Sequence, residues 1–411
     1  MEWETKDEGC RVPVKSWCAA VEAGALKQAA DCARHSRVFH HVALMPDCHQ
    51  GYGIPVGGVL ACENAVIPNA VGVDIGCGMV AVETNIPAIE ISENQIKDIL
   101  SIVRYKVPAG EGHSHKRPIK WNVFDEYLET NKLYPGAKDT PVWLDEKCLE
   151  LARLNLGTLG GGNHFIELQK SDAGYLWLML HSGSRNLGYR IAAAYHKTAQ
   201  TENERKKDPL PSKDLAFLEP ESGTGQAYIR DMEFALCYAF ENRRRMMQVF
   251  KEAVMTIIPK AEFQNETNIH HNFAAKEKHF NRTVWVHRKG ATSAQKGQRG
   301  IIPGSMGTSS YIVEGLGNPE SFMSCSHGAG RRMGRMEACR TLSVDDCRKV
   351  MRGIVFDGFR RRKARFGETK DGLYDLEEAP PAYKDIDRVI DEERDLIFPV
   401  EKLSPLGVVK G

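Results

Sequence analysis

No stretch of this 411-residue chain comes near the roughly 20 consecutive apolar residues of a membrane-spanning helix, so no membrane partner is expected. The N-terminus, MEWETKDEGC, is charged and has no apolar segment of the kind a secretory leader needs. Excess charge of one sign is missing too, since 55 basic and 54 acidic side chains leave a formal net charge of +1. No global field attracts a polyanion, and any nucleic acid must be held by a local patch. The chain has no CxxC pair, no zinc-finger spacing, no internal repeat and no low-complexity linker. Its 11 cysteines, an odd number at irregular spacing, argue against a disulfide scaffold and point to the reducing cytoplasm. Most of them are expected as small buried apolar side chains. What remains is an ordinary globular composition, 42% hydrophobic and 27% charged.

Short β-like runs recur at 41–47, 56–62, 65–76, 79–86, 175–184 and 283–291, punctuated by Gly, Pro, Asp and Ser at or near their ends. Ser92, followed by acidic residues and an apolar period, predicts a helix over 92–105. Tyr228, Met232, Ala235, Leu236 and Ala239 keep helical spacing in a longer segment reaching Ile258. Ser343 with Asp346 reads as the start of another helix. Segment 106–122, rich in Pro, Gly and His, reads as a functional loop, and 199–226 as a polar loop. The basic run at 360–366 reads as a solvated helix face that also leaves nucleic-acid contact open. This order of elements predicts an α/β (α+β) body over residues 1–411, with a central mixed sheet and glycine-rich site loops.

Five glycine-embedded polar motifs share one style, in which a strand ends, glycines follow, and reactive side chains leave the bend. VGVDIGCGMV (71–80) contributes Asp74 and Cys77, and LGTLGGGNHFIEL (156–168) contributes Asn163, His164 and Glu167. LMLHSGSRNLG (178–188) has His181 and Arg185, and NIHHNFAAKE (268–277) has His270, His271 and Asn272. SCSHGAGRRMGR (324–335) has His327, Arg331 and Arg335. Each alone has an ordinary structural explanation, because strand-end histidines are commonly just hydrogen-bonded and glycine runs are commonly just turns. Their recurrence in contexts where backbone can approach a ligand closely is the signal. A thiolate, imidazoles and a carboxylate form a donor set suited to Zn, Mn, Fe or Co rather than Mg or Ca alone. One thiolate can bridge two metals, which explains a Cys three positions from an Asp. Asn163 has a donor and an acceptor free for a substrate or a phosphate. His327, with two arginines four and eight positions on, suits either a nucleophile attacking phosphorus or a further metal ligand. On a following helix those arginines would share nearly one face.

These motifs, together with HRKGATSA, IIPGSMGTSSYIVEGLG, AYKDID and the terminal VVKG, resemble in order the signature segments of the RtcB family of RNA-splicing ligases. The resemblance runs from PVKSW (13–17) to the last residue. It implies an enzyme that joins RNA 2′,3′-cyclic phosphate or 3′-phosphate ends to 5′-hydroxyl ends, in tRNA splicing or RNA repair, using GTP and two Mn²⁺. It further implies that His327 is the guanylylated nucleophile, and that Asp74, Cys77, His164, His181 and His271 hold the metals, Cys77 bridging. His270 is the alternative to His271. Guanylate contacts implied by position are Asn163, Glu167, Ser305, Gly328, Ala329, Gly330, Tyr383 and Lys410. Arg185 is implied near the RNA end, Arg331 and Arg335 as anion contacts, and an archease-type activator as a candidate partner.

Some positions depart from the family pattern: Cys48 in PDCHQGYG, Gly334 in HGAGRRMGR, and a His113/His115 pair without counterpart. Segment 360–378 carries no motif that aligns. Three other readings compete with the ligase. These are an enzyme that stops at guanylate capping of a 3′-phosphate, a dinuclear metallohydrolase, and a non-catalytic RNA-binding descendant. A hydrolase has no use for a nucleotide-bonding histidine, and a binding module none for a metal pair.

Overall fold

The structure is a computed structural model describing residues 1–133, 141–207, 209–362 and 372–411. A six-stranded sheet runs β1 (Trp3–Thr5), β2 (Val14–Ser16), β3 (Val38–His49), β4 (Val56–Cys62), β10 (Arg282–Lys289) and β9 (Asn272–His279). A seven-stranded sheet runs β12 (Arg299–Ile302), β13 (Ser310–Gly315), β15 (Ile397–Lys410), β6 (Phe165–Ser171), β7 (Tyr175–Ser182), β5 (Gly78–Pro87) and β8 (Phe263–His270). A short ribbon pairs β11 (Ala291–Ser293) with β14 (Ser324–Ser326). Pairing is antiparallel throughout the seven-stranded sheet, and β2 with β3 supplies a parallel pair in the other. The helices are α1 (Ala23–Arg34), α2 (Pro68–Val71), α3 (Glu93–Lys106), α4 (Asn122–Thr130), α5 (Glu146–Asn155), α6 (Arg185–Lys206), α7 (Gly223–Ile257), α8 (Arg335–Thr341), α9 (Val344–Val350) and α10 (Ile386–Glu392). The expected mixed α/β body is present, with its strands divided between two large sheets.

The apolar run of β7 is continuous because both of its faces are covered. Leu176, Leu178 and Leu180 join Val80, Val82 and Ile166 against α3 and α7, where Ile99, Val103, Met247 and Phe250 complete the cluster. Trp177 and Met179 point the other way and pack with Met79, Ala81, Ile301, Ile312 and Val408. This is the two-residue alternation of a strand buried on both sides. Ser92 caps α3 in a reciprocal capping box with Gln95, and Ser222 caps the long α7 through the Gly225 N–H. Ser343 likewise accepts from the Asp346 N–H at the start of α9.

Several expectations fail for identifiable reasons. Segment 65–76 is not a strand: Pro68 opens the short α2, and Gly72 (φ 96°) and Gly76 (φ 75°) turn the backbone into the left-handed region. The polar stretch from 199 is helical to Lys206, because α6 buries Leu187, Ile191, Ala192, Tyr195 and Ala199 on one side and leaves its charges in water. Residues 363–366 of the basic run lie outside the described residues. The part that is described forms no helix; Arg361 bridges to Tyr374, its guanidinium 5.8 Å from the ring. Residues 107–121 form a loop, as expected. Among the described residues no helix is long and apolar enough to cross a membrane.

Beneath α4, α5 and α6 lies a fully buried carboxylate. Asp231 of α7 accepts from Tyr127 Oη (2.5 Å), Trp143 Nε1 (2.7 Å) and Tyr195 Oη (2.6 Å), and pairs with Arg230 (2.6 Å). It ties the outer helices to α7. Asp231→Ala strands three buried donors and should lower the unfolding free energy by about 3–5 kcal/mol in urea titration. Asp231→Asn, which keeps one acceptor oxygen, should lose less. A loss under about 1 kcal/mol for the alanine variant contradicts this account.

Candidate active site

The seven-stranded sheet brings four chain segments to one end. Gly78 at the start of β5 pairs with Ser182 on β7 and with His270 on β8, while Phe165 at the start of β6 pairs with His181. Cys77, His164, His181 and His271 therefore sit at neighbouring strand ends by register alone. Cys77 Sγ lies 3.2 Å from His181 Nε2 and 3.5 Å from His164 Nε2. His181 Nε2 is 3.4 Å from His271 Nε2, and Asp74 Oδ2 is 3.3 Å from His164 Nε2. Asp74 fits because residue 183 is glycine: a Cβ there would stand 2.3 Å from the carboxylate oxygens. Its Oδ1 accepts from the Ser184 N–H (3.1 Å).

The tautomers explain the crowding. His164 Nδ1 lies 2.9 Å from the Leu159 carbonyl and His181 Nδ1 lies 3.2 Å from that of Asn163. A carbonyl only accepts, so both rings carry their proton on Nδ1 and turn Nε2 lone pairs toward Cys77. Converging lone pairs beside a thiol and a carboxylate form a donor group able to take up a cation, and backbone-oriented histidines are how proteins arrange one. Burial, reinforced by His164, holds His181 well below the ordinary histidine range, and burial with His327 does the same for His271. Burial followed by the Asp74 charge pushes the Cys77 thiol well above its usual value; a bound metal reverses that logic. The donor set fits a transition metal. His270 faces away, its Nδ1 3.0 Å from the Gly76 carbonyl and 3.1 Å from Arg243.

His327 follows β14 of the short ribbon and reaches the same place, its ring centroid 4.8 Å from that of His271. Asp47, near the end of β3 and fully buried, accepts from His327 Nδ1 (2.5 Å) and from the His327 backbone N–H (3.1 Å). Burial would raise the Asp47 carboxyl, but His327 and then Lys384 outweigh it and hold it low. With Nδ1–H given to Asp47, the Nε2 lone pair of His327 is free. Glu393 backs the strand by accepting from the Ser326 N–H (2.9 Å). Asp47 received no role from sequence, although it ends an apolar run just before a glycine-rich bend, as the assigned residues do.

These groups open into a cleft of about 870 Å³. Its wall holds Asn163, Ser305, Gly328, Ala329, Gly330, Arg331, Arg335, Tyr383 and Lys410 together with Asp74, Cys77, His181, His271 and His327. Glu167 stands behind the wall, where burial lifts its carboxyl to about 7 against the opposing pull of Lys410. Arg185, at φ 59°, begins α6 and donates from Nε to Thr158 Oγ1 (3.2 Å). The two later arginines do not share a helix face: Arg331 bridges to Tyr383, and α8 begins at Arg335, with Gly334 as its N-cap. They meet instead on Glu378, at 3.3 Å and 3.0 Å, and Tyr383 also donates its hydroxyl to that carboxylate. Glu378 lies in the segment without a motif, so only tertiary structure reveals it. His113 and His115 stay outside the wall, His115 Nε2 lying 3.3 Å from the Gly157 carbonyl.

A family model described as "tRNA-splicing ligase RtcB" matches residues 28–411. The RNA-splicing ligase RtcB of Escherichia coli K12 is 38% identical over 97% of this chain and 97% of its own length. The tRNA-splicing ligases RtcB of Thermococcus kodakarensis and Nanoarchaeum equitans are 31% and 29% identical, over 94% and 100% of this chain and 91% and 98% of their own lengths. With its strand-end thiol and imidazoles at one mouth of the sheet and a carboxylate-held histidine facing them, the chain belongs to the RtcB family of RNA-splicing ligases.

Proposed function

We propose that the chain is one catalytic domain that joins RNA 3′-phosphate ends to 5′-hydroxyl ends at the expense of GTP, in tRNA splicing or RNA repair in the cytoplasm. The observation that carries this reading is His327, whose Nδ1 is held by buried Asp47 at 2.5 Å while its ring centroid lies 4.8 Å from that of His271. A histidine so held is an oriented nucleophile, and the imidazolium formed when it bonds to phosphorus is stabilised by the carboxylate behind it.

Asp74, Cys77, His164, His181 and His271 would hold a manganese pair, with Cys77 shared. Such a pair neutralises phosphate oxygens and aligns them for in-line displacement. His327 Nε2 attacks the α-phosphorus of GTP; the Nε2–P bond forms, the Pα–O bond breaks, and pyrophosphate leaves with its electron pair. An RNA 3′-phosphate oxygen then takes the guanylate from His327, which returns to the neutral ring on Asp47. The RNA 5′-hydroxyl attacks the activated 3′-phosphate, losing its proton to water, and GMP departs. A 2′,3′-cyclic phosphate end first needs water to open it to the 3′-phosphate. Asn163, Ser305, Tyr383, Lys410 and the Gly328–Gly330 backbone would hold guanylate, with Glu167 steadying Lys410. Arg185, Arg331 and Arg335 would meet anionic oxygens, the last two once Glu378 yields them.

Incubation with GTP labelled on the α-phosphate and Mn²⁺ should give an acid-labile protein adduct, as expected of a P–N bond. His327→Ala should abolish it, and label surviving that change sinks the assignment. Asp47→Asn, which misplaces the ring proton, should slow labelling by about 10²–10⁴-fold. Cys77→Ala should bind less manganese in elemental analysis, with unchanged stoichiometry ruling out a shared thiolate. Broken RNA with 2′,3′-cyclic phosphate and 5′-hydroxyl ends should be joined with GTP and not with ATP. An accumulating stable 3′-guanylate would select a capping enzyme instead.

A further inference from the structure

Tyr52, at the tip of the loop joining β3 to β4, lines the rim of the cleft and is 76% exposed. A tyrosine left in water is ordinary; the bracing of its backbone is not. Gln28 of α1 grips the preceding residue from both sides, its Nε2 donating to the Gly51 carbonyl (2.7 Å) and its Oε1 accepting from the Gly51 N–H (3.0 Å). The Gln50 N–H donates to Glu22. The ammonium of Lys289, a residue 9% exposed, donates to the Tyr52 carbonyl and also to that of Asn69 (3.2 Å). The loop is thus fixed to α1, to β10 and to α2. Among the described residues neither the ring nor the hydroxyl of Tyr52 has a partner, so the bracing serves the presentation of a free aromatic face.

Position on the wall selects the occupant. Tyr52 is tied through Lys289 and Asn69 to α2, and the chain beyond α2 runs through Val73, itself 46% exposed on the cleft wall, into Asp74. Elsewhere on the wall the rings already carry cations: the Lys410 ammonium lies 5.8 Å from the Phe165 ring, and the Arg331 guanidinium 5.1 Å from the Tyr383 ring. Tyr52 shares the cleft wall with Val73, Asp74 and Cys77, and on the reading proposed above what enters there is the broken RNA.

We propose that Tyr52 is a stacking platform for one nucleobase of single-stranded RNA near the join. The inference rests on the ligase reading. A rigid aromatic with two side-chain torsions loses little entropy on contact, and every base offers a π-face, so such a platform grips RNA ends of any sequence. The exposed Arg332 on the same wall is free to meet a phosphate of the same strand.

The test is a double-substitution cycle on the full chain. Ligation kinetics are measured for wild type, Tyr52→Ala and Tyr52→Trp on RNA that is intact or abasic at one of the last three positions of either end. Tyr52→Ala should raise the KM for intact RNA about tenfold with kcat little changed, and Tyr52→Trp should restore it. One abasic position should raise the wild-type KM similarly and add nothing in Tyr52→Ala. Thermal unfolding checks that the variants are folded. Additive losses at every position overturn the platform while leaving the ligase intact. A Tyr52→Ala defect already present in guanylate labelling without RNA overturns it in favour of a nucleotide contact. If the wild type joins no RNA under any of these conditions, the ligase reading fails and takes the platform with it.

Discussion

The site depends on one buried guanidinium. Arg243, fully buried in α7, donates to the Gly76 carbonyl (2.7 Å), the Ser182 carbonyl (3.0 Å) and Asn268 Oδ1 (2.8 Å), and lies 3.1 Å from His270 Nδ1. Those partners belong to the segments that begin β5, end β7 and end β8, so a single side chain sets the spacing of Cys77, His181 and His271. Burying a cation is costly unless its donors are met and opposite charge is near. Here burial draws the guanidinium down to about 10, while Cys77 and Asp74 oppose the shift. The charge of Arg243 in turn eases ionisation of the Cys77 thiol. Fold and donor set are coupled through this one group: the arginine that organises the strand ends also favours the thiolate a metal requires.

A second constraint joins the two sheets. β8 belongs to the seven-stranded sheet and β9 to the six-stranded one, and His271 is the residue between them. Its N–H donates to the Cys77 carbonyl (2.9 Å) and its carbonyl accepts from the Ala291 N–H (3.1 Å). Asn272 continues the seam, donating to the Asp74 carbonyl (3.1 Å) and accepting from the Gly290 N–H (2.8 Å). His271 is thereby locked between the metal-binding turn and the ribbon that carries His327. The proposed nucleophile follows the ribbon and the proposed metal ligands lie at strand ends of the seven-stranded sheet, yet the two are joined by the backbone of His271 and the side-chain amide of Asn272. So short a link suits a reaction in which a phosphorus atom must be reached by a side chain beside the ribbon while its oxygens are held from the sheet.

What was legible in the sequence followed from where the chemistry lies. Asp74, Cys77, His164, His181 and His271 could be picked out because reactive types recur together beside strand-end glycines, although each alone has an ordinary structural explanation. Asp47 shares that context but was passed over, because a lone Asp before a turn is also common punctuation and its partner His327 is 280 residues away. Arg243 opens an RRR run whose members look alike in sequence; only the register of α7 decides that this arginine points inward and the next two pair with Glu241. The helix placed under Arg331 and Arg335 and the strand placed over 65–76 both failed on backbone geometry, through the Gly334 cap and the Gly72 and Gly76 turns. Local pattern identified reactive residue types, and long-range contact decided what each one faces.

Glu378 shows why that distinction bears on function. It gathers Arg331, Arg335 and the Tyr383 hydroxyl around one carboxylate, with Lys410 close enough to be its largest favourable charge. Burial alone would raise the Glu378 carboxyl, and Lys410 followed by Arg331 and Arg335 holds it low instead. Without an anion, the three cations are aligned on an internal carboxylate rather than dispersed into water. An arriving phosphate meets donors whose side-chain order is already fixed, and needs only to compete with Glu378 for them. The competition is uneven, because a phosphate offers three oxygens and up to two charges against the two oxygens and single charge of the carboxylate. The network keeps the arginines ordered around one carboxylate, so cationic side chains in a chain with almost no net charge are gathered at one place on the cleft wall.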